Sequence, residues 1–184
     1  MTPDDLASLI ARRRSNIFID ADSPVDEAHL QSLITSAQWA PNHKRTWPLR
    51  LTIITGNSRH LFGAVVADAM EQRGDDAAKV EKTRTKYLRA PVIIAVAYAR
   101  GGSDSETSEN SFAVAAGIQN LLLTAEAHGY ATLWGSPPKG ANDAITAFCG
   151  MSTTDTVVGV IYLGRPLRDA PPVDRPEPWV TTRS

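Results

Sequence analysis

The strongest constraint on the fold is the stretch from Ala90 to Ala99, which is apolar throughout and rich in β-branched residues. It is too short to cross a membrane as a helix, and its composition favours a buried strand. From Asn110 to His128, hydrophobic residues cover nearly every side of a predicted helix, which is typical of a helix at the centre of a domain. Gly129 is the expected C-terminal stop of that helix. The chain is therefore predicted to build its core from both helix and strand.

Further hydrophobic periodicities place other elements around this core. The predicted helices span about residues 3–14, 25–37, 58–86 with a break at 74–76, and 143–148, and the predicted strands span 49–55, 131–134 and 157–163. Residues 101–108 have the most loop-like composition and are predicted to form a mobile loop. The order of elements does not alternate as in a doubly wound parallel sheet, and no Gly-rich dinucleotide fingerprint follows a strand. These features predict one α+β domain over residues 1–184.

The last part of the chain, residues 166–184, is rich in proline. Proline cannot continue a helix or a central strand, and this segment has few apolar residues of its own. It is therefore predicted to lie extended across another surface, for which a partner subunit is one candidate.

Composition and motifs exclude several classes of function. The formal net charge of −1 argues against nucleic acid as a partner. Cys149 is the only cysteine, which suits a reducing cytoplasm, and no export signal or membrane segment is visible. The four histidines lack the spacing of a zinc site, so no metal is expected. A nucleophile elbow and a Walker phosphate loop are also missing from the sequence.

Three segments carry residues suited to ligand binding. Arg12-Arg13-Arg14-Ser15 can hold phosphate oxygens through paired guanidinium hydrogen bonds, or can simply complement the dipole at a helix end. Residues 39–50 form a polar, aromatic loop stiffened by two prolines, which can contact a planar ring or merely cap the core. Residues 129–138 run from a helix end into small residues, whose backbone can approach a ligand closely or form only a tight turn.

Taken in order, these segments resemble the nitroreductase family, most closely its short YdjA-like branch of NAD(P)H nitroreductases. The likeness extends over nearly the whole chain, and its specificity comes from the ordered spacing of fragments that are individually weak. The matching segments are Arg13-Arg14-Ser15, residues 40–44 with Pro48, and residues 89–94, 116–123, 129–134 and 162–166.

The resemblance implies a nitroreductase-like α/β/α sandwich with a central mixed, mainly antiparallel sheet, in an intertwined homodimer that binds FMN at its interface. The implied activity is that of an FMN-dependent NAD(P)H oxidoreductase with a ping-pong mechanism. NADH or NADPH reduces the flavin at N5 and leaves, and a nitroaromatic, quinone or similar small conjugated acceptor then takes the electrons. Because the flavin carries the chemistry, no side chain is assigned as a catalytic residue.

The resemblance also implies a set of binding residues. Arg13, Arg14 and Ser15 match the segment that holds the FMN phosphate and ribityl chain, and Arg175 matches a late basic residue near the phosphate. The other implied flavin contacts are Trp39, His43, Trp134, Gly135 and Ser136. The weaker match to a nicotinamide-binding region, which a buried helix end explains equally well, comprises Thr124, Glu126, His128 and Gly129.

The loop before the first strand departs from the family pattern. The pattern has Asn, Gln and Trp where this chain has Arg45, Trp47 and Leu49, and Trp39 stands where close relatives carry arginine. Two alternatives therefore stay open: a flavin-binding or flavin-sequestering protein without nicotinamide turnover, and a degenerate family member that binds nothing. The sequence leaves open the identity of the acceptor and the choice between NADH and NADPH.

Overall fold

The computed structural model describes residues 2–184, in which helices lie on both sides of a four-stranded sheet. The helices are α1 (Pro3–Arg12), α2 (Glu27–Gln38), α3 (Ser58–Gln72), α4 (Ala77–Lys86), α5 (Asp104–Ala127) and α6 (Asn142–Phe148). The strands are β1 (Leu49–Thr55), β2 (Val92–Tyr98), β3 (Ala131–Gly135) and β4 (Thr156–Gly164). Short 3₁₀ turns occur at His43–Arg45 and Tyr87–Arg89.

The sheet has the strand order β1-β2-β4-β3, and every neighbouring pair of these strands is antiparallel. At its β3 edge, Ser15 adds a single parallel bridge to Thr132. The predicted α+β class and mainly antiparallel sheet are thereby confirmed.

Alternate residues of β2 face two separate apolar clusters, because successive side chains of a strand point to opposite faces. Ile93 packs in the cluster that contains Phe62 of α3 and Ile145 of α6. Ile94 packs in the cluster that contains residues of α2 and α5, including Leu121. Helices therefore cover both faces of the strand, which explains why residues 90–99 are apolar without alternation. The result is the predicted α/β/α sandwich.

Helix α5 begins earlier than its sequence suggests. The Ser103 hydroxyl accepts a hydrogen bond of 3.2 Å from the Glu106 backbone N–H, and the Glu106 carboxylate accepts one of 3.0 Å from the Gly102 N–H. These bonds satisfy backbone donors that a helix start otherwise leaves without a partner. The prediction of a mobile loop over residues 101–108 is therefore wrong, because residues 104–108 form the first turns of α5.

We expect Ser103→Ala to lower the free energy of unfolding by about 1 kcal/mol, since the variant loses the N-cap hydrogen bond. Ser108→Ala is the matched control, because the Ser108 hydroxyl donates to the Asp104 carbonyl one turn earlier in the helix and caps no backbone N–H in the described chain. This variant should change the free energy of unfolding by less than about 0.5 kcal/mol. Urea denaturation of both variants measures the difference. Equal stabilities would show that the cap contributes nothing.

The chain beyond β4 is held to the segment that follows α1. The Leu167 N–H donates to the Phe18 carbonyl over 2.9 Å, and Asn16 Nδ2 donates to the Arg168 carbonyl over 2.8 Å. Residues 169–184 contain neither helix nor strand. The single-domain organisation and the packing of this tail on a partner remain predictions. None of the described helices is both long enough and apolar enough to cross a membrane.

Candidate functional site

Helix α1 delivers a run of arginines to the edge of the sheet. A capping box of Thr2 and Asp5 starts the helix, and Arg13 caps its C-terminal end. The helix is two residues shorter than predicted, so Arg13 and Arg14 lie on the chain that leaves it. The Asn16 backbone N–H then donates to the Thr132 carbonyl over 2.8 Å, which attaches this chain to β3.

Three of the predicted binding residues meet in one cleft of about 460 Å³. Its basic lining consists of Arg13 and Arg14 from the end of α1 and Arg175 from the tail. The rest of its lining is Ile10, Ala11, Gln119, Val173 and Asp174. We call this site the arginine cleft. It joins residues from opposite ends of the sequence.

The electrostatics of the arginine cleft favour an anion. Burial, and then the positive charge of Arg175, lower the pKa of the Arg13 guanidinium, with a further contribution from Arg14, while Glu126 opposes them. The Arg14 Nε is buried and has no hydrogen-bond partner among residues 2–184, although the Nη1 of Arg14 donates to the carbonyls of Ala11 and Arg13. A buried donor without a partner is costly, and gathered guanidinium groups repel one another. An anion with several oxygens relieves both costs.

A second cleft, of about 370 Å³, adjoins the first at Arg14. Glu126 lines this cleft and forms an ion pair with Arg12, with 3.3 Å between Oε1 and Nε. Gly129 also lines it, at the end of α5. Its other lining residues are Arg12, Asn16, Tyr130, Ala131, Pro166, Asp169 and Ala170. Two of the four residues assigned to nicotinamide binding therefore lie in a cleft beside the arginines.

The other two nicotinamide candidates have structural partners. The Thr124 hydroxyl donates to the Asn120 carbonyl one turn earlier in α5, over 2.9 Å. The His128 ring stacks on that of His29, with 4.1 Å between the ring centroids. His29 Nδ1 lies 3.2 Å from the Tyr130 hydroxyl, so the stack joins the start of α2 to the end of α5. Neither Thr124 nor His128 lines either of the two clefts.

Trp134 lies near the end of edge strand β3. Its indole Nε1 donates to the Val158 carbonyl over 3.3 Å, and the ring covers Gly159, where a Cβ would lie 1.9 Å from Nε1. Gly135 is the last residue of the strand, and Ser136 follows it. The Trp134–Ser136 segment therefore ends on the β3 edge, the edge to which Ser15 adds its bridge.

The loop between α2 and β1 is strained and outward-facing. Lys44, Arg45 and Trp47 adopt left-handed backbone conformations, with φ of 57°, 55° and 48°. Each such non-glycine residue costs on the order of 1–3 kcal/mol, which the surrounding structure must offset. Within the loop, Asn42 Oδ1 accepts from the Trp47 N–H over 2.9 Å. The side chain of Trp39, just before the loop, is 82% exposed, and His43 is exposed as well.

This loop lies apart from the arginines within one chain. Asn42 and Trp47 line a third cleft, of about 240 Å³, together with residues of α2 and α5 such as Ala37 and Val114. That cleft shares no residue with the arginine cleft. The structure thus brings together Arg13, Arg14 and Arg175, but it leaves Trp39 and His43 outside their cleft.

Two buried asparagines, Asn16 and Asn110, organise these regions, and neither belongs to a motif that predicts such a role. Asn16 connects the chain after α1 to β3 and to the tail. Asn110, in α5, is 3% exposed and bonds to Thr46 of the loop and to the Ala99 carbonyl. Asn110 lies where the polar first turns of α5 meet its buried apolar face, which begins with Val114, and this position at the boundary is the signal that the sequence offers for it. In the chain from Thr2 onward, no three His, Cys, Asp or Glu side chains are grouped so as to hold a metal ion.

Comparisons with known proteins agree with this architecture. "Putative NAD(P)H nitroreductase YdjA" of Escherichia coli (strain K12) is 27% identical over 176 residues, covering 95% of this chain and 96% of that protein. The crystal structure of the nitroreductase-like family protein from Bacillus cereus has a TM-score of 0.82 at 25% identity and covers 96% of this chain and 94% of its own. FMN-dependent nitroreductase NfnB from Mycobacterium smegmatis, solved in complex with NADPH, has a TM-score of 0.73 at 16% identity over 90% of each chain. A model of the Nitroreductase family matches residues 10–165. Because this match spans most of the sequence, the chain belongs to the Nitroreductase family.

Proposed function

We propose that this protein is an FMN-dependent NAD(P)H oxidoreductase that reduces a nitroaromatic, quinone or similar small conjugated acceptor by a ping-pong mechanism in the cytoplasm. The observation that carries the proposal is the convergence of Arg13, Arg14 and Arg175 on one cleft in a member of this family. YdjA is named a putative NAD(P)H nitroreductase, and NfnB is an FMN-dependent nitroreductase solved in complex with NADPH. Both names support FMN as the cofactor and NAD(P)H as the electron donor.

The residues of the arginine cleft fit the phosphate of FMN. Three guanidinium groups suit a dianionic group well, and the Arg14 Nε supplies a buried donor that no atom in the described part of this chain satisfies. Ser15 is exposed on the same stretch of chain and can donate its hydroxyl to the ribityl end. Trp134, Gly135 and Ser136 lie at the neighbouring sheet edge, where an aromatic face and open backbone suit a planar ring.

When bound, FMN would supply the redox chemistry, namely two-electron transfer from NAD(P)H to the acceptor in two separate half-reactions, and Arg13, Arg14 and Arg175 would hold its phosphate. With a quinone as acceptor, the overall reaction would convert NAD(P)H, quinone and one proton to NAD(P)⁺ and hydroquinone. The proton would come from water. The protein binds the phosphate, orients the ring and excludes water from its face. Such a site requires no acidic or basic side chain as a catalytic residue.

We further propose that the active unit is a homodimer in which the loop of one chain completes the arginine cleft of its partner. This arrangement is supported by the separation of the two regions within one chain and by the exposure of apolar side chains around the loop. Trp39, Trp47 and Phe112 are all more than half exposed here. Large apolar side chains of this kind are common at protein interfaces.

The purified protein should be yellow, and NADH or NADPH should bleach its visible flavin absorbance rapidly under anaerobic stopped-flow conditions. Adding menadione should then restore the colour, because the acceptor takes the electrons in the second half-reaction. Sedimentation velocity of the same sample should give the mass of two chains. Flavin that stays oxidised would instead favour the flavin-sequestering alternative, and failure to take up FMN at all would refute both readings.

A further inference from the structure

The loop Asn42–Trp47 buries its uncharged polar side chains and exposes its basic ones. Asn42 and Thr46 turn inward and are partly buried, whereas His43, Lys44 and Arg45 are exposed. Lys44 and Arg45, which both have a left-handed backbone, therefore present two cationic side chains at the outer surface. A conformation this strained persists only where surrounding contacts fix it, and such strain is concentrated at functional sites.

A chain of hydrogen bonds anchors the loop to the core. Asn42 Nδ2 donates to the Thr46 hydroxyl over 3.0 Å, and that hydroxyl donates to Asn110 Oδ1 over 2.6 Å. Asn110 Nδ2 in turn donates to the Ala99 carbonyl over 3.0 Å. The Ala99 N–H donates to the Pro48 carbonyl over 2.8 Å, which brings the connection back to the end of the loop. The buried amide of Asn110 therefore fixes the loop from beneath.

The outer surface of this loop is positive. Throughout residues 2–184, no carboxylate lies within ion-pair distance of Lys44 or Arg45. The nearby Arg50 donates to the carbonyls of Trp47 and Leu49. Its Nε lies 3.9 Å from Oδ2 of Asp155, and that oxygen also accepts from the Ser152 backbone N–H. The indole of Trp47, at the end of the same loop, is exposed as well.

Resting on the function proposed above, we propose that this loop makes the acceptor site selective for anionic aromatic acceptors, such as carboxylated or sulfonated nitroarenes and quinones. Lys44 and Arg45 supply the attraction, Trp47 supplies an aromatic face, and Asn110 acts as a positioning residue through Thr46. Exposed charges interact through water, so the preference weakens as salt screens them.

The test compares 4-nitrobenzoate with 4-nitrobenzyl alcohol, a neutral compound of nearly the same shape. The FMN-loaded enzyme should show a kcat/KM about tenfold higher for the anion at low salt, mainly through KM, and a smaller ratio at high salt. K44Q/R45Q should reduce the ratio to about one. FMN affinity should fall much less than in R13A/R14A, because the lining of the arginine cleft contains Arg13 and Arg14 but not Lys44 or Arg45. K79Q/K82Q, which removes two exposed cations of α4, is the control with the same change in net charge.

The positioning role has its own pair of variants. Thr46→Val removes the hydroxyl that Asn110 holds, and it should lose most of the charge preference, whereas Thr46→Ser keeps the hydroxyl and should retain the preference. An unchanged ratio in K44Q/R45Q, or a loss of FMN affinity in place of selectivity, would overturn the inference. If the enzyme never turned over, the proposed function would fail, but quenching of flavin fluorescence by the two nitro compounds would still decide the charge preference.

Discussion

Replacing Arg13 and Arg14 together with alanine is expected to weaken FMN binding by about 10²–10⁴-fold. Hydrogen bonds to charged groups contribute about 1.5–3 kcal/mol each, and about 1.4 kcal/mol corresponds to a factor of ten in affinity. The two side chains supply most of the positive charge of the arginine cleft. Their loss should also relieve the repulsion among the arginines, so the variant should fold and assemble normally.

Flavin fluorescence titration with FMN and with riboflavin measures this effect sharply. Riboflavin lacks the phosphate, so its weaker binding should scarcely change in the double variant. Arg12→Ala is the neighbouring control, because Arg12 pairs with Glu126 and does not line the arginine cleft. Equal losses of FMN and riboflavin affinity would place the arginines at the ring instead of the phosphate.

Strongly alkaline solution is expected to destabilise the fold through two buried tyrosines. Tyr87 and Tyr162 stack with 5.9 Å between ring centroids and are 1% and 7% exposed. Burial raises the pKa of Tyr162 to about 12, partly opposed by the charge of Arg89, and burial raises the pKa of Tyr87 further. At pH values where both side chains would ionise in the unfolded chain, they therefore stay neutral in the folded protein.

Because the folded-state pKa values are raised, the stabilisation is complete below pH 10 and is lost as the pH rises through them. Between pH 10 and 12, Tyr162 alone should account for about 2–3 kcal/mol of lost stability. Lys86, whose pKa is lowered by burial and by Arg89, acts in the opposite direction and offsets part of this loss.

Urea denaturation across this alkaline range measures the loss in free energy of unfolding. Y87F/Y162F should flatten the dependence, since phenylalanine cannot ionise. Tyr98→Phe, at the partly exposed end of β2, is the control. A double variant that lost stability as steeply as the natural chain would assign the effect to other groups.

The sequence predicted most of the secondary structure because its patterns are local. Strand β1 lies where the β-branched run at 49–55 placed it, and β2 falls within the apolar stretch. The start of α5 was missed because Gly101-Gly102-Ser103 suggests a loop, although Ser103 followed three residues later by Glu106 is also a helix-start signature. The prediction of a loop follows from the Gly-rich composition, whereas the capping signature of Ser103 and Glu106 predicts the helix that is observed.

The site was predictable only where its residues are contiguous. Arg13 and Arg14 were identified from their run, but the meeting of Arg175 with them depends on how an aperiodic tail folds back. The bonds of Asn110 to Thr46 and Ala99 join three separate parts of the chain, and no spacing rule connects them. The stack of His29 on His128 likewise arises only when α2 packs beside the end of α5.

The arginine cleft also bears on how the protein is made. Arg13 and Arg14 leave the ribosome before the sheet has been synthesised, while Arg175 follows every strand and helix of the core. The nascent chain therefore carries unpaired arginines through most of its synthesis, and the cleft becomes complete only when the tail emerges. A chain that stops before the tail lacks the side of the cleft that Arg175 forms, and we therefore expect it to bind an anionic ligand more weakly than the full chain does.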